Sequence, residues 1–115
     1  MKRIVATIKP NMLDDVIFAL HNIRGFPGAA IWDVRQIGGG SGGRGKPVDR
    51  TPLHEFPRLV GMEIVCRAEL AEELVETILQ KAHTGLPDDG RISVSAVEDV
   101  VWIRTGRRGV DETRE

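Results

Sequence analysis

Ile4, Ala6 and Ile8 alternate with polar or small residues, a period of two that predicts a first strand. Pro10 breaks that strand, Asn11 is placed to cap a helix, and Asp14 is favourable in its first turn. Leu13, Val16, Ile17, Leu20 and Ile23 then recur at spacings of three and four, which makes one apolar helical face. Arg24-Gly25-Phe26-Pro27-Gly28 ends the helix. Residues 29–37 read as a second strand, with Trp32 and Val34 on one face, and residues 59–66 as a third. Residues 69–83 form the second predicted helix, with Leu70, Leu74, Val75, Ile78 and Leu79 as its buried stripe. Gly85 is its expected C-cap, with Lys81 and His83 near the negative end. Ile92, Val94 and Ala96 alternate as a fourth strand, and residues 100–104 suggest a short fifth.

The order β-α-β-β-α-β is that of the split βαβ, an α+β ferredoxin-like arrangement. Residues 1–106 make one domain and residues 107–115 a polar C-terminal tail. Two helices cover one face of such a sheet. Ile31, Trp32, Met62 and Ile64 lie on strands that would supply both faces, and an apolar second face calls for a cover. Symmetric self-association is the simplest one. Residues 38–57 break the pattern, with six glycines, three prolines and no helical period. A loop of that length inside a compact domain is usually functional or disordered.

Composition narrows the function classes. Of 115 residues, 16 are basic and 17 acidic, a net charge of −1, so the basic footprint of a nucleic-acid binder is missing. The local run Arg104, Arg107, Arg108 is balanced by Asp111, Glu112 and Glu115. A single cysteine, Cys66, excludes an intramolecular disulfide and fits a reducing compartment. Its neighbours Ile64 and Val65 predict a buried thiol. Lys9 interrupts the first apolar run, and no stretch approaches the roughly 20 apolar residues of a membrane span. A cytoplasmic location without a secretory signal is expected.

The segment richest in chemistry is Thr84-Gly85-Leu86-Pro87-Asp88-Asp89-Gly90-Arg91. A helix end, a tight turn and an arginine at the start of a strand make a small anion-binding concavity of successive amides. Arg104-Thr105-Gly106 supplies a second basic strand end. The pair suggests a phosphorylated ligand rather than a catalytic centre. Asp88 and Asp89 read as backbone-bonding turn formers rather than a paired acid and base. Gly40 to Pro47 nearly matches a P-loop, but Pro47 stands where a magnesium-holding hydroxyl belongs, and Pro52 and Pro57 exclude the helix that should follow. His21, His54 and His83 show no metal-ligand spacing, although His54 beside Glu55 offers a weak pair. No nucleophile is visibly paired with a base, so catalytic residues are expected to be none.

Three segments together resemble the PII nitrogen-regulatory signalling family. They are Lys2-Arg3-Ile4 through Lys9-Pro10 with Leu13-Asp14-Asp15-Val16, then Glu63-Ile64-Val65, and finally Thr84-Gly85 through Arg91-Ile92 with Ile103-Arg104-Thr105-Gly106. The resemblance spans nearly the whole chain, with one extra residue near Arg24 to Phe26. It implies a homotrimer that binds an adenine nucleotide (ATP, ADP or AMP) between subunits. It further implies control of a partner enzyme, transcription factor or membrane transporter through a long flexible T-loop, residues 38–57. By that resemblance Gly90 and Arg91 meet the phosphates, Asp89 matches the family's aspartate in the same turn, and Arg104 reaches a nucleotide held by the neighbour. Val65 offers backbone bonds to the adenine, Gly28 lies near the ribose, and Gly38 opens the loop over the phosphates. Arg44, Lys46, Arg50 and His54 are the candidate partner contacts on the loop.

Departures from the family pattern shift the expectation. Asp88 stands where the family has glycine, Trp102 where it has an arginine, and Arg91 where it has lysine. A guanidinium grips phosphate bidentately where an ammonium does not. One cation lost and one anion gained disfavour a triphosphate most. Trp102 offers either stacking on a planar group or a packed interface. Gly40 replaces the glutamine that completes magnesium and 2-oxoglutarate binding, and the absence of tyrosine rules out tyrosine modification in the loop. The leading expectation is a non-enzymatic, nucleotide-responsive regulator. The alternative is a trimeric scaffold or small-anion sensor without the ATP and 2-oxoglutarate response, serving a transporter or a carbon or metal pathway. A metal-tolerance protein of the CutA type shares the architecture but leaves the glycine-rich loop unexplained.

Overall fold

The computed structural model describes residues 1–37 and 52–109. Its strands are β1 (Lys2–Ile8), β2 (Ala30–Arg35), β3 (Arg58–Cys66) and β4 (Gly90–Ala96); its helices are α1 (Leu13–His21) and α2 (Ala68–Ala82). The strands form one sheet in the order β2-β3-β1-β4, with every neighbouring pair antiparallel. This is the expected ferredoxin-like α+β fold.

Register explains which residues reach the core. Ile4 lies opposite Ile64 and Val94, Ala6 opposite Met62 and Ile92, and Ile8 opposite Val60 and Gly90. Directly opposed residues share a face, so these apolar positions form one continuous sheet surface. Val16 and Leu20 of α1, with Leu74 and Ile78 of α2, pack onto it. Each fully buried aliphatic side chain contributes about 1.5–3 kcal/mol, and among the described residues no polar side chain is buried with them. Cys66 lies in this core as expected, and burial pushes its thiol pKa up.

The opposite face is mixed. Ile31 pairs with Met62 and therefore turns toward the helices, so of the four residues weighed for a second apolar face only Trp32 serves it. Trp32 lies opposite Gly61 and covers it. A Cβ at position 61 would come within 2.5 Å of the indole ring. Val5 and Val65 share this face with an Arg3–Glu63 ion pair.

Local ends differ from the sequence expectation in three places. Asn11 does not cap α1; residues 10–12 form a 3-10 turn with no side-chain cap bond at either flank. Helix α2 closes on an extended His83 (φ −69°, ψ 126°) rather than on Gly85, whose φ of +79° falls two residues later. The expected fifth strand is instead one arm of a hairpin over residues 100–109, tied by a Val101–Arg108 bridge. Its return arm runs past residue 106, so part of the expected tail is folded. Among the described residues no helix is long and apolar enough to cross a membrane.

Candidate functional site

The turn after α2 is built around one carboxylate. Asp89 Oδ2 accepts the Thr84 and Gly85 amides, both at 2.9 Å, and Asp89 Oδ1 accepts the Thr84 hydroxyl. Lys9, just past the end of β1, places its Nζ 3.2 Å from Asp89 Oδ1 and donates to Thr84 Oγ1 at 3.2 Å. Thr84 Oγ1 also accepts the Leu86 amide at 3.1 Å. One hydroxyl thus donates once and accepts twice, its full capacity. The Thr84 hydroxyl and amide, then the Gly85 amide and Lys9, hold the Asp89 carboxyl well below the usual carboxylate range. His83 Nδ1 stands 3.9 Å from the same carboxylate.

The anion cradle is therefore shorter than the sequence suggests. The amides of Thr84, Gly85 and Leu86 are spent inside the turn, and residue 87 is proline. The donor left for a ligand is the amide of Asp88, which has no hydrogen-bond partner among the described residues, since the Asp89 amide closes the tight turn over Pro87 and Asp88. Asp88 is held at φ +66° and Gly90 at φ +99°. At Gly90 a Cβ would lie 1.7 Å from the Thr7 carbonyl oxygen, so β4 approaches β1 here only because residue 90 has no side chain. Arg91 follows, exposed, opposite Thr7. Beside the turn opens a mostly apolar cleft of about 380 Å³, walled by Ile8, Val75, Ile78, Leu79, Ala82 and Ile92, with His83, Asp89 and Arg91 at its mouth.

The other expected nucleotide contacts stand elsewhere. β2 pairs with β3 only as far as Ala30 opposite Glu63. Gly28 and Val65 each lie two residues beyond that pair, at the same end of the sheet, and β2 leaves the Val65 end of β3 uncovered. Val65 is level with Arg3 and Arg91 with Thr7. Four strand residues separate the two levels, about 13 Å, and β1 intervenes between β3 and β4, roughly a further 10 Å across. Beyond β4 the Val97 amide bonds Met1 O at the Val65 end, and the chain then enters the hairpin whose turn carries an exposed Arg104. One chain therefore does not bring Gly28 and Val65 to Gly90 and Arg91.

The long loop leaves the sheet at the Arg91 end. Its stem is fastened by the Gln36 amide to Pro57 O (2.8 Å), Arg35 Nη1 to Phe56 O (3.3 Å) and an Arg58–Asp33 ion pair (3.1 Å). His54 is exposed in a 3-10 turn, Leu53–Glu55. Gly38, Arg44, Lys46 and Arg50 lie outside the described residues.

One site residue, Lys9, escaped sequence reasoning. Lys9 meets Asp89 only because β1 and β4 pair, a contact between residues 80 positions apart in the chain. Trp102 is fixed by its own hairpin, its indole Nε1 donating to Gly109 O at 2.9 Å. Among the described residues no group of three or more His, Cys, Asp or Glu side chains is placed to hold a metal ion.

A family model described as nitrogen regulatory protein P-II matches residues 1–107. A nitrogen regulatory protein P-II of Azospirillum brasilense is 40% identical over 111 residues, 96% of this chain and 98% of the relative. Proteins of the same description from Rhodospirillum rubrum and Pasteurella multocida are 39% and 38% identical over the same shares.

Proposed function

The chain belongs to the nitrogen regulatory protein P-II family, whose members are signalling regulators rather than enzymes, and from that premise we propose that it binds an adenine nucleotide between the subunits of a homotrimer. Ligand in the cleft biases the 38–57 loop between conformations that differ in affinity for a partner enzyme or transporter. The observation that carries this reading is the separation of the two contact sets. Gly90 and Arg91 sit at one end of the sheet and Gly28 and Val65 at the other. Two copies packed side by side join unlike ends, and the nucleotide then spans the junction, its phosphates on the 88–91 backbone and its base on the Val65 edge. The open sheet face with Trp32, Val5 and Val65 supplies apolar area for the assembly.

Isothermal titration with ATP, ADP and AMP tests the binding, and light scattering tests for a particle of three chain masses. Saturable heat with at least one nucleotide is expected, together with weaker binding of that nucleotide to the Arg104→Ala variant. No heat from any of the three overturns the proposal. A second reading, a trimeric scaffold or small-anion sensor that does not respond to ATP, is favoured by one observation: three amides of the turn are consumed internally. A partner retained identically with and without nucleotide supports that second reading.

A further inference from the structure

We infer that Asp88 is a specificity-determining residue of the 84–91 turn, one that penalises ligands in proportion to their phosphate charge and leaves adenosine mono- or diphosphate favoured over the triphosphate. The inference rests on the nucleotide-binding reading above and deepens it.

The two neighbouring aspartates of the turn have different employment. Asp89 accepts three donors from residues 84 and 85 and has an ammonium 3.2 Å away, so its charge is balanced within the fold. Asp88 is half-buried, and among the described residues its carboxylate has no hydrogen bond and no ion pair. It is not a turn former through its side chain. Its backbone is nevertheless held in the left-handed region, at φ +66°, between a proline and the fastened Asp89. Asp and Asn tolerate that region better than other side-chain-bearing residues, and glycine adopts it freely. An unpartnered carboxylate at a position that glycine would fill without strain contributes nothing evident to folding, and its charge acts on whatever occupies the Asp88 amide.

The charge balance there is simple. With Lys9 committed to Asp89, the turn itself offers Arg91 as its cation and Asp88 as its uncompensated anion. His83, two-thirds exposed, stands behind Asp89. A phosphate seated on the Asp88 amide gains the guanidinium and meets the carboxylate. Each further phosphate adds negative charge within the range of the same carboxylate, so the repulsion grows with phosphate number.

The test compares the intact protein with Asp88→Asn, which removes the charge and keeps the shape, and with Asp88→Gly, which also relaxes the backbone. ATP, ADP and AMP are titrated into each at fixed ionic strength with chelator present, so that no divalent cation masks the triphosphate. The ATP-to-AMP affinity ratio is expected to rise by about tenfold in both variants, with ADP between them. Binding with an unchanged ratio in Asp88→Asn overturns the inference and leaves the nucleotide-binding reading standing. Equal gains for all three nucleotides in Asp88→Gly overturn it too, since that result marks a backbone effect. No saturable heat in any of the nine titrations brings down the nucleotide-binding reading and the inference with it.

Discussion

The 84–91 turn and the 100–109 hairpin both reverse the chain beside an arginine expected to meet a phosphate, and both use glycines at positive φ, yet they are held by different physics. The first is fastened by ionic and charge-assisted bonds to one carboxylate, drawn from the end of β1 and the end of α2. The second is closed by neutral bonds of its own: Trp102 amide to Arg107 O at 2.8 Å, Gly106 amide to Trp102 O at 2.7 Å, Gly109 amide to Val100 O at 3.0 Å, and the Trp102 indole to Gly109 O. The first reads out tertiary structure and is wired to the sheet. The second is closed by bonds between residues near one another in the chain, with an exposed Arg108–Asp99 pair that adds little.

Glycine substitution breaks the comparison most sharply. Gly90→Ala forces a Cβ to within 1.7 Å of a β1 carbonyl oxygen at φ +99°, so a loss above about 4 kcal/mol is expected. Gly106→Ala meets nothing within 4 Å at φ +72° and should cost only the left-handed penalty, about 1–2 kcal/mol. Thermal unfolding checks both; similar melting temperatures for the two variants would erase the distinction.

Acid should separate the regions next. The Asp89 pKa is depressed in the folded state, so its stabilising contribution is complete above the ordinary carboxylate pKa of about 4 and is lost as pH falls below it. Between pH 5 and 3, hydrogen exchange at the Thr84 and Gly85 amides, corrected for intrinsic rates, should accelerate while the Gly106 and Gly109 amides hold steady. Asp89→Asn should reproduce the acid behaviour at neutral pH. The smallest effect expected is that of Trp102→Phe. It removes one indole bond, about 1 kcal/mol, and should loosen the hairpin amides without touching those of residues 84 and 85.

Legibility in the sequence followed the range of the interactions. Periodicity placed four strands and two helices to within a few residues, because alternation and the three-four spacing are local consequences of burial on one face. It misplaced the ends, since Asn11, His83 and Gly85 take their conformations from how the chain leaves each element. It also read residues 100–104 as a strand, where a hairpin partner was needed to see that the chain turns back. The 84–91 turn was visible as a candidate anion cradle, yet the occupant of its first amides was not. Asp89 was within sight as a turn former, but nothing local marked Lys9 as its counter-ion.

The sequence by itself determined the order of elements, the helix-facing stripe, the family and the place of the 84–91 turn, because each is written in local spacing and residue type. Only the tertiary structure decided that Lys9 spends itself on Asp89, that Asp88 has no partner among the described residues, that Gly90 admits no side chain, and that Val65 and Arg91 stand at opposite ends of the sheet. Those facts depend on strand register and on contacts between residues far apart in the chain, which the pattern of apolar positions constrains but does not place.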